Sequence, residues 1–255
     1  GNIATNAGGL CCVKYGVTTD FVLGLEGVLA DGTAGRLGGP RLKDVAGLSL
    51  TKLFVGSEGT LGVITEVTLR LLPPQHPSCT VVATFPTVTG ACDAVTAITA
   101  KIRPAMLEFM DAVAINAVED KLKMGLDRTA AAIMVATSDD RGPAGAEDAE
   151  FMATVFAECG ATEVFSTSDP DEGEAFVAAR RFAIPAVEAK GSLLLEDVGV
   201  LHHVAEQRGR GALHGADDEE VGQVGHGSPI VGRPVGGPDQ SAWVPTFSSR
   251  NGLVV

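Results

Sequence analysis

The chain has 255 residues, 45% of them hydrophobic, and a formal net charge of −13. That length allows one large domain or two ordinary ones. An acidic excess of this size repels phosphate backbones and anionic lipid heads, so nucleic-acid binding and a polybasic membrane anchor are disfavoured. Aromatic residues are only 5% of the chain, so the core has to be built from Ala, Val, Leu and Ile, side chains that let helices lie close on a sheet.

In chain order, Leu23 to Ala30 reads as a strand, Asp31-Gly32 as its turn and residues 33–37 as a short partner strand. Leu50 to Val55 reads as a short apolar turn or helix. Gly62 to Leu72 reads as a strand with Ile64, Val67, Leu69 and Leu71 available for burial. Pro73-Pro74 ends it, because neither residue can donate to a ladder, and a domain boundary is expected there.

The rhythm then changes. Strands are expected at 80–85, 105–110, 130–137, 161–166 and 193–200, and helices at 88–101, 112–124, 144–159 and from Asp169-Pro170 to about Ala183. The helix over 144–159 is expected to open on an acidic first turn. Strands alternating with helices predict an α+β sandwich, one sheet covered by helices. Residues 205–255 hold ten Gly and four Pro in 51 positions, a composition of low-complexity or out-of-frame sequence for which no structure is expected. The expected organisation is therefore residues 1–75, residues 76–204 and a tail over 205–255.

Five cysteines, an odd number with no C-x-x-C spacing, read as reduced thiols in a cytoplasmic protein. No apolar run reaches the roughly 18 residues needed to span a bilayer, and no signal peptide is visible. The chain does not begin with Met, and it reads as a fragment.

Three segments carry candidate chemistry. In GNIATNAGG, residues 1–9, small side chains let the backbone approach a ligand, with Asn2, Thr5 and Asn6 as short hydrogen-bonding groups. A tight loop at a sheet edge is the competing explanation. VGSEGTLGVIT, residues 55–65, places three glycines within seven residues and matches neither a dinucleotide-fold fingerprint nor a P-loop. In EAFVAARRFAIP, residues 174–185, Arg180 and Arg181 point about 100° apart on a helix, so only one of them can face a given pocket.

In this order, GNIATNAGG and then RLGGPRLKDVAGLSLTKLFVGSEGTLGVITEVTLRLLP closely resemble the FAD-binding domain of vanillyl-alcohol-oxidase-like flavoproteins. Within that group the resemblance is to the glycolate oxidase, D-lactate dehydrogenase and D-2-hydroxyglutarate dehydrogenase branch. It covers Gly1 to about Pro74 and continues more weakly to about Val200. It implies the C-terminal half of a PCMH-type FAD-binding domain followed by an α+β, ferredoxin-like substrate or cap domain. It also implies non-covalent FAD, with Gly1, Asn2, Ala4, Thr5, Asn6, Gly8 and Gly9 along the pyrophosphate and ribityl chain, and Gly62, Val63 and Ile64 at the adenine end. Lys43 to Gly47 matches a KDVAGY-like segment, with Leu48 in place of Tyr. Glu58 in the GSEG turn is expected to satisfy turn N–H groups rather than to perform chemistry.

The resemblance makes Arg180 the clamp of a substrate carboxylate, a task its planar fork suits. The implied activity is oxidation of a small 2-hydroxy acid such as glycolate or D-lactate by hydride transfer to FAD, with electrons passed to an unidentified acceptor and a homo-oligomer as a possible state. The alternative is a catalytically inactive fragment or a non-catalytic subunit of such an enzyme. Two family features have no counterpart in the sequence: the upstream phosphate loop and an H-x-G-D-G-N motif after Glu196-Asp197-Val198. Complete family members are expected to hold a metal. His76, His202, His203, His214 and His226 show no metal-ligand spacing, so neither a metal site nor a catalytic base is assigned.

Overall fold

The Asp31-Gly32 turn is in place in the computed structural model, which describes residues 1–192. Gly32 takes a positive φ of 84°, Leu29 N–H donates to Thr33 carbonyl at 2.9 Å, and Asp31 Oδ1 accepts from Thr33 N–H at 2.9 Å. The turn joins β1 (Val22–Val28) to β2 (Ala34–Gly38), and β3 (Val63–Leu69) pairs with the other edge of β1, giving an antiparallel sheet of order β2-β1-β3. The chain divides into two compact units, residues 1–75 and a unit that begins at His76.

In the first unit, three short helical stretches precede the sheet: α1 (Asn2–Thr5), α2 (Cys12–Tyr15) and a 3-10 turn at Thr18–Asp20. Leu50–Phe54 forms α3, as expected of that apolar run. The core is small. Val22, Leu25 and Val55 are buried, with Ile3, Leu37, Phe54, Ile64 and Val67 packed around them. Strand β3 is shorter than its sequence suggests, and Leu69 and Leu71 are exposed rather than buried. Leu69 is the last residue of the strand and Leu71 lies beyond it. A bulge sits further back: Glu26 pairs with Glu66 and Gly27 with Ile64, so Thr65 is the extra residue and Ile64 and Val67, three apart, both face the small core.

The second unit has a four-stranded antiparallel sheet of order β5-β6-β4-β7, made by β4 (Cys79–Phe85), β5 (Met106–Asp111), β6 (Ala132–Ser138) and β7 (Glu163–Thr167). With α4 (Val88–Thr99) between β4 and β5 and α6 (Pro143–Glu158) between β6 and β7, this strand order is that of a ferredoxin-like fold. Strand alternation sends Val81, Ala83, Phe85, Leu107, Met134 and Ala136 to one face. There they meet Ala91, Ala94, Val95 and Ile98 of α4 and Met152, Val155 and Phe156 of α6. Phe85 and Phe156 meet edge to face, centroids 5.8 Å apart. The helix α6 starts on Pro143 with no acid in its first turn. Glu147 and Asp148 fall one turn later, and Asp148 accepts from Ser138 Oγ instead.

Three further helices, α5 (Ala112–Leu122), α7 (Pro170–Arg181) and α8 (Ala183–Glu188), belong to the other face. Asp111 caps α5 by accepting from Ala114 N–H at 2.8 Å, and Asp169 caps α7 ahead of Pro170. The helix expected to run to about Ala183 breaks at Phe182. Pro185 has no N–H to return to the Arg181 carbonyl and its ring crowds that carbonyl, so α8 starts as a separate short helix. Gly173 brings α7 close to the sheet: a Cβ there would sit 2.5 Å from Thr80 Oγ1. The strand expected over 193–200 and the tail lie outside the described residues.

Candidate functional site

The first glycine-rich segment is not an open loop throughout. Asn2–Thr5 winds into α1, and Asn6 ends it in the left-handed region with φ 51°. Thr5 and Ala7 spend their N–H groups on the Gly1 and Asn2 carbonyls. Gly9 N–H points at Cys12 Sγ, 2.9 Å away.

The two glycine-rich segments, some fifty residues apart in sequence, are joined directly by backbone. Gly56 N–H donates to Ile3 carbonyl at 3.0 Å and Glu58 N–H to Ala4 carbonyl at 2.9 Å. Gly56 has φ 83°, and a Cβ there would come within 3.0 Å of Asn6 Cβ, so the approach needs glycine. Asn6 Oδ1 accepts from Thr19 N–H at 2.9 Å, fixing the first segment from its other side. Beside this junction, Thr19 Oγ1 and Ser57 Oγ are buried without a hydrogen-bond partner. Gly9 and Gly59 have no atom within 4 Å of where a Cβ would stand. Orphaned hydroxyls and open space above glycines fit a ligand carrying phosphate and hydroxyl oxygens.

The other assigned residues of this unit are less uniform. Gly62 is required by the sheet, since a Cβ would lie 2.6 Å from Val28 carbonyl oxygen. Val63 is exposed and Ile64 packs toward the small core. Glu58 takes φ 51°, and its backbone N–H, not its carboxylate, ties the turn. Lys43 to Gly47 is exposed, as is Leu48.

In the second unit the arginine question resolves clearly. On α7 the buried positions Gly173, Val177 and Arg180 recur at helical spacing and form one stripe. Arg180 is 8% exposed, while Arg181 turns outward to pair with Glu174. Arg180 Nη2 lies 2.9 Å from Glu108 Oε2, and the Glu108 side chain is fully buried. The contact is close but poorly aligned for a hydrogen bond. Among the described residues, both Glu108 oxygens and Arg180 Nε are left without a hydrogen-bond partner.

Burial pushes the Glu108 carboxyl up to about 7 against the pull of Arg180. Burial also raises Asp111, whose own cap bonds and Arg180 oppose the shift. Sequence reading picked out Arg180 and missed Glu108. The available signal was a lone acid in the apolar strand pattern AMLEFM, residues 105–110, where an unpaired charge would be costly.

No three His, Cys, Asp or Glu side chains come together in a way that could hold a metal among the described residues. His202, His203, His214 and His226, with Glu196 to Val198, lie outside those residues. No disulfide forms among the described residues, and no described helix is long and apolar enough to cross a membrane.

Residues 74–227 match the family described as FAD linked oxidases, C-terminal domain, and the chain belongs to that family. It is 41% identical over 202 residues to the glycolate oxidase subunit GlcD of Bacillus subtilis (strain 168), covering 78% of this chain and 43% of that protein. It is 46% identical over 116 residues to a D-lactate dehydrogenase of Archaeoglobus fulgidus, covering 46% of this chain and 26% of that one. The chain thus spans less than half the length of these relatives. Among solved structures, an alkyldihydroxyacetonephosphate synthase superposes with a TM-score of 0.56 at 20% identity, over 74% of this chain and 38% of that one, a likeness of fold.

Proposed function

We propose that this chain is the part of an FAD-dependent oxidoreductase that binds and orients a small 2-hydroxy acid, such as glycolate or D-lactate, for oxidation. The observation that carries this is Arg180: a guanidinium 8% exposed, with one terminal nitrogen on Glu108 and Nε–H unspent. A buried cation with an unused donor is suited to a carboxylate, which it binds by charge and by direction at once. The relatives named glycolate oxidase subunit GlcD and D-lactate dehydrogenase support the substrate class.

The first unit would hold the cofactor non-covalently through Gly1, Asn2, Ala4, Thr5, Asn6, Gly8 and Gly9, with the Gly62–Ile64 backbone at a second point. The direct backbone junction of the two glycine-rich segments supports that reading. When bound, FAD supplies the acceptor for the hydride leaving C2 of the hydroxy acid. The protein's own contribution is orientation. Arg180, seated by its buried stripe on α7, fixes the carboxylate. The electrons would pass to a separate acceptor, and a cytoplasmic setting suits cysteines that form no disulfide.

The test is turnover of glycolate, D-lactate and D-2-hydroxyglutarate with an artificial dye acceptor, in the full-length FAD-loaded protein. Arg180→Ala should raise KM by a loss on the order of 2–4 kcal/mol, and a KM that stays put removes Arg180 from the substrate site. A full-length preparation that is colourless and takes up no added FAD removes the cofactor assignment.

A further inference from the structure

We propose that Glu108 is the resident counter-ion of Arg180 and sets its affinity for anions: a bound carboxylate and the charge of Glu108 compete for one guanidinium, so anion binding draws a proton from solvent onto Glu108. The proposal rests on reading Arg180 as the carboxylate clamp, and it adds a specificity-determining residue to that site.

The geometry supplies the competition. Glu108 stands on β5, directly across from Val135 of β6, in a setting with no exposure to solvent. Its Oε2 is 2.9 Å from Arg180 Nη2, and neither carboxylate oxygen gains an aligned hydrogen bond. A carboxylate that was only a structural partner would have its lone pairs satisfied, because a half-satisfied buried ion pair is a poor stabiliser. Here the pair is close in charge and loose in direction, an arrangement a second carboxylate can displace.

Among the described residues Arg180 is the single cation against Glu108, since Lys121 on α5 is exposed. Strand β6 brings no titratable side chain. On α5, Glu119 is spent on the N–H groups of Met124, Gly125 and Leu126, and Asp120 on Arg128 and Lys190. On α7, Asp171, Glu172, Glu174 and Arg181 are exposed, as are Glu188 on α8 and Asp93 on α4. Asp111, at the end of β5, is the other carboxylate that senses Arg180, and it is committed to capping α5. When a substrate carboxylate reaches Arg180, two anions face one cation in a setting that poorly solvates charge. Protonating Glu108 relieves the conflict, and its carboxyl already sits near neutrality. By linkage, anion affinity and Glu108 protonation then strengthen each other equally.

The experiment is calorimetric titration of the full-length, FAD-loaded protein with oxalate, a non-oxidisable mimic of a 2-hydroxy acid. It is run from pH 5.5 to 8.5 in buffers of differing ionisation heat. Wild type should take up a fraction of a proton per oxalate at pH 7, rising toward one at pH 8. Its Kd should weaken by roughly tenfold per pH unit above about 7. Glu108→Gln should abolish that uptake, flatten the pH dependence and bind oxalate at pH 8 at least as tightly as wild type at pH 6.

Arg180→Ala and Arg180→Lys, run alongside, separate the two readings. If both bind oxalate as wild type does, Arg180 is not the clamp and both readings fall. If both lose binding while wild type takes up no proton, or Glu108→Gln keeps the pH dependence, the competition is overturned and the clamp stands. The wild-type proton count needs no substitution, so a Glu108→Gln protein that misfolds still leaves the proposal open to refutation.

Discussion

Glu108 carries its consequences into stability as well as binding. Its carboxyl stands at about 7 in the folded protein against 4.5 when free, burial being the larger cause and Arg180 the opposing one. The folded state therefore holds a proton that the unfolded chain releases between those values. The sign follows: the stability from this group is fully present below about 4.5 and is lost as pH rises through about 7. Comparing wild type with Glu108→Gln by urea unfolding isolates it from the other carboxylates. The stability of wild type minus that of the variant should fall by on the order of 3 kcal/mol between pH 4.5 and 8. A difference that does not change with pH would mean the carboxyl titrates alike in both states.

At the scale of elements, α7 is the piece that delivers the arginine, and its two ends are built differently. Asp169 caps the start, accepting from Asp171 N–H at 2.9 Å, and Asp171 and Glu172 lie in the first turn where the helix dipole favours acids. Arg180 and Arg181 occupy the last turn, and Gly173 sets the height of the helix over β4. Asp169→Ala should cost about 1 kcal/mol of stability and leave the oxalate Kd unchanged, because Val177 and Gly173 still seat the arginine end. Thermal unfolding and the same calorimetry check both halves, and a lost oxalate affinity would show that the capped end also governs the arginine.

The legibility of the sequence follows the same division. The strand and helix pattern of 80–181 was readable because α4, α5 and α6 keep a helical stripe and each strand has an apolar inward side. The break at Phe182 was written in Pro185 but outweighed by the apolar spacing around it. Thr65 was not readable as a bulge, since only pairing with β1 makes it the extra residue, and Leu69 and Leu71 were misplaced because β3 already ends at Leu69. The junction of Gly56 with Ile3 and of Glu58 with Ala4 is tertiary, so composition could mark two permissive backbones without showing that they meet. Glu108 was overlooked because a single acid among apolar neighbours announces its burial only once its partner, some seventy residues later, is known.

Across the whole molecule, the two units are unequal in what holds them together. The unit from His76 buries Phe85, Ile98, Leu107, Met134, Met152 and Phe156 between a sheet and two helices, and all seven residues of β6 are buried between β5 and β4. The unit over 1–75 rests on four buried aliphatic side chains, Val13, Val22, Leu25 and Val55, and β2 is an exposed edge. Leu42, Val45 and Leu48 stand in solvent on a segment that pairs with no strand, an apolar surface of the kind that marks contact with further protein or a ligand. Local opening costs least where few apolar contacts must be broken, so exchange rates should separate the units. Hydrogen exchange followed by mass spectrometry should find the amides of β4 and β6 the slowest in the chain, and those of β2 and residues 40–49 among the fastest. Added FAD should slow exchange at residues 1–9 and 55–65 before it touches β6, because those two joined backbones carry the proposed cofactor contacts. If peptides over 22–38 outlast those over 132–138 without cofactor, the small core of the first unit is stronger than its buried side chains indicate. If FAD protects neither glycine-rich segment, their junction is architecture rather than a cofactor seat.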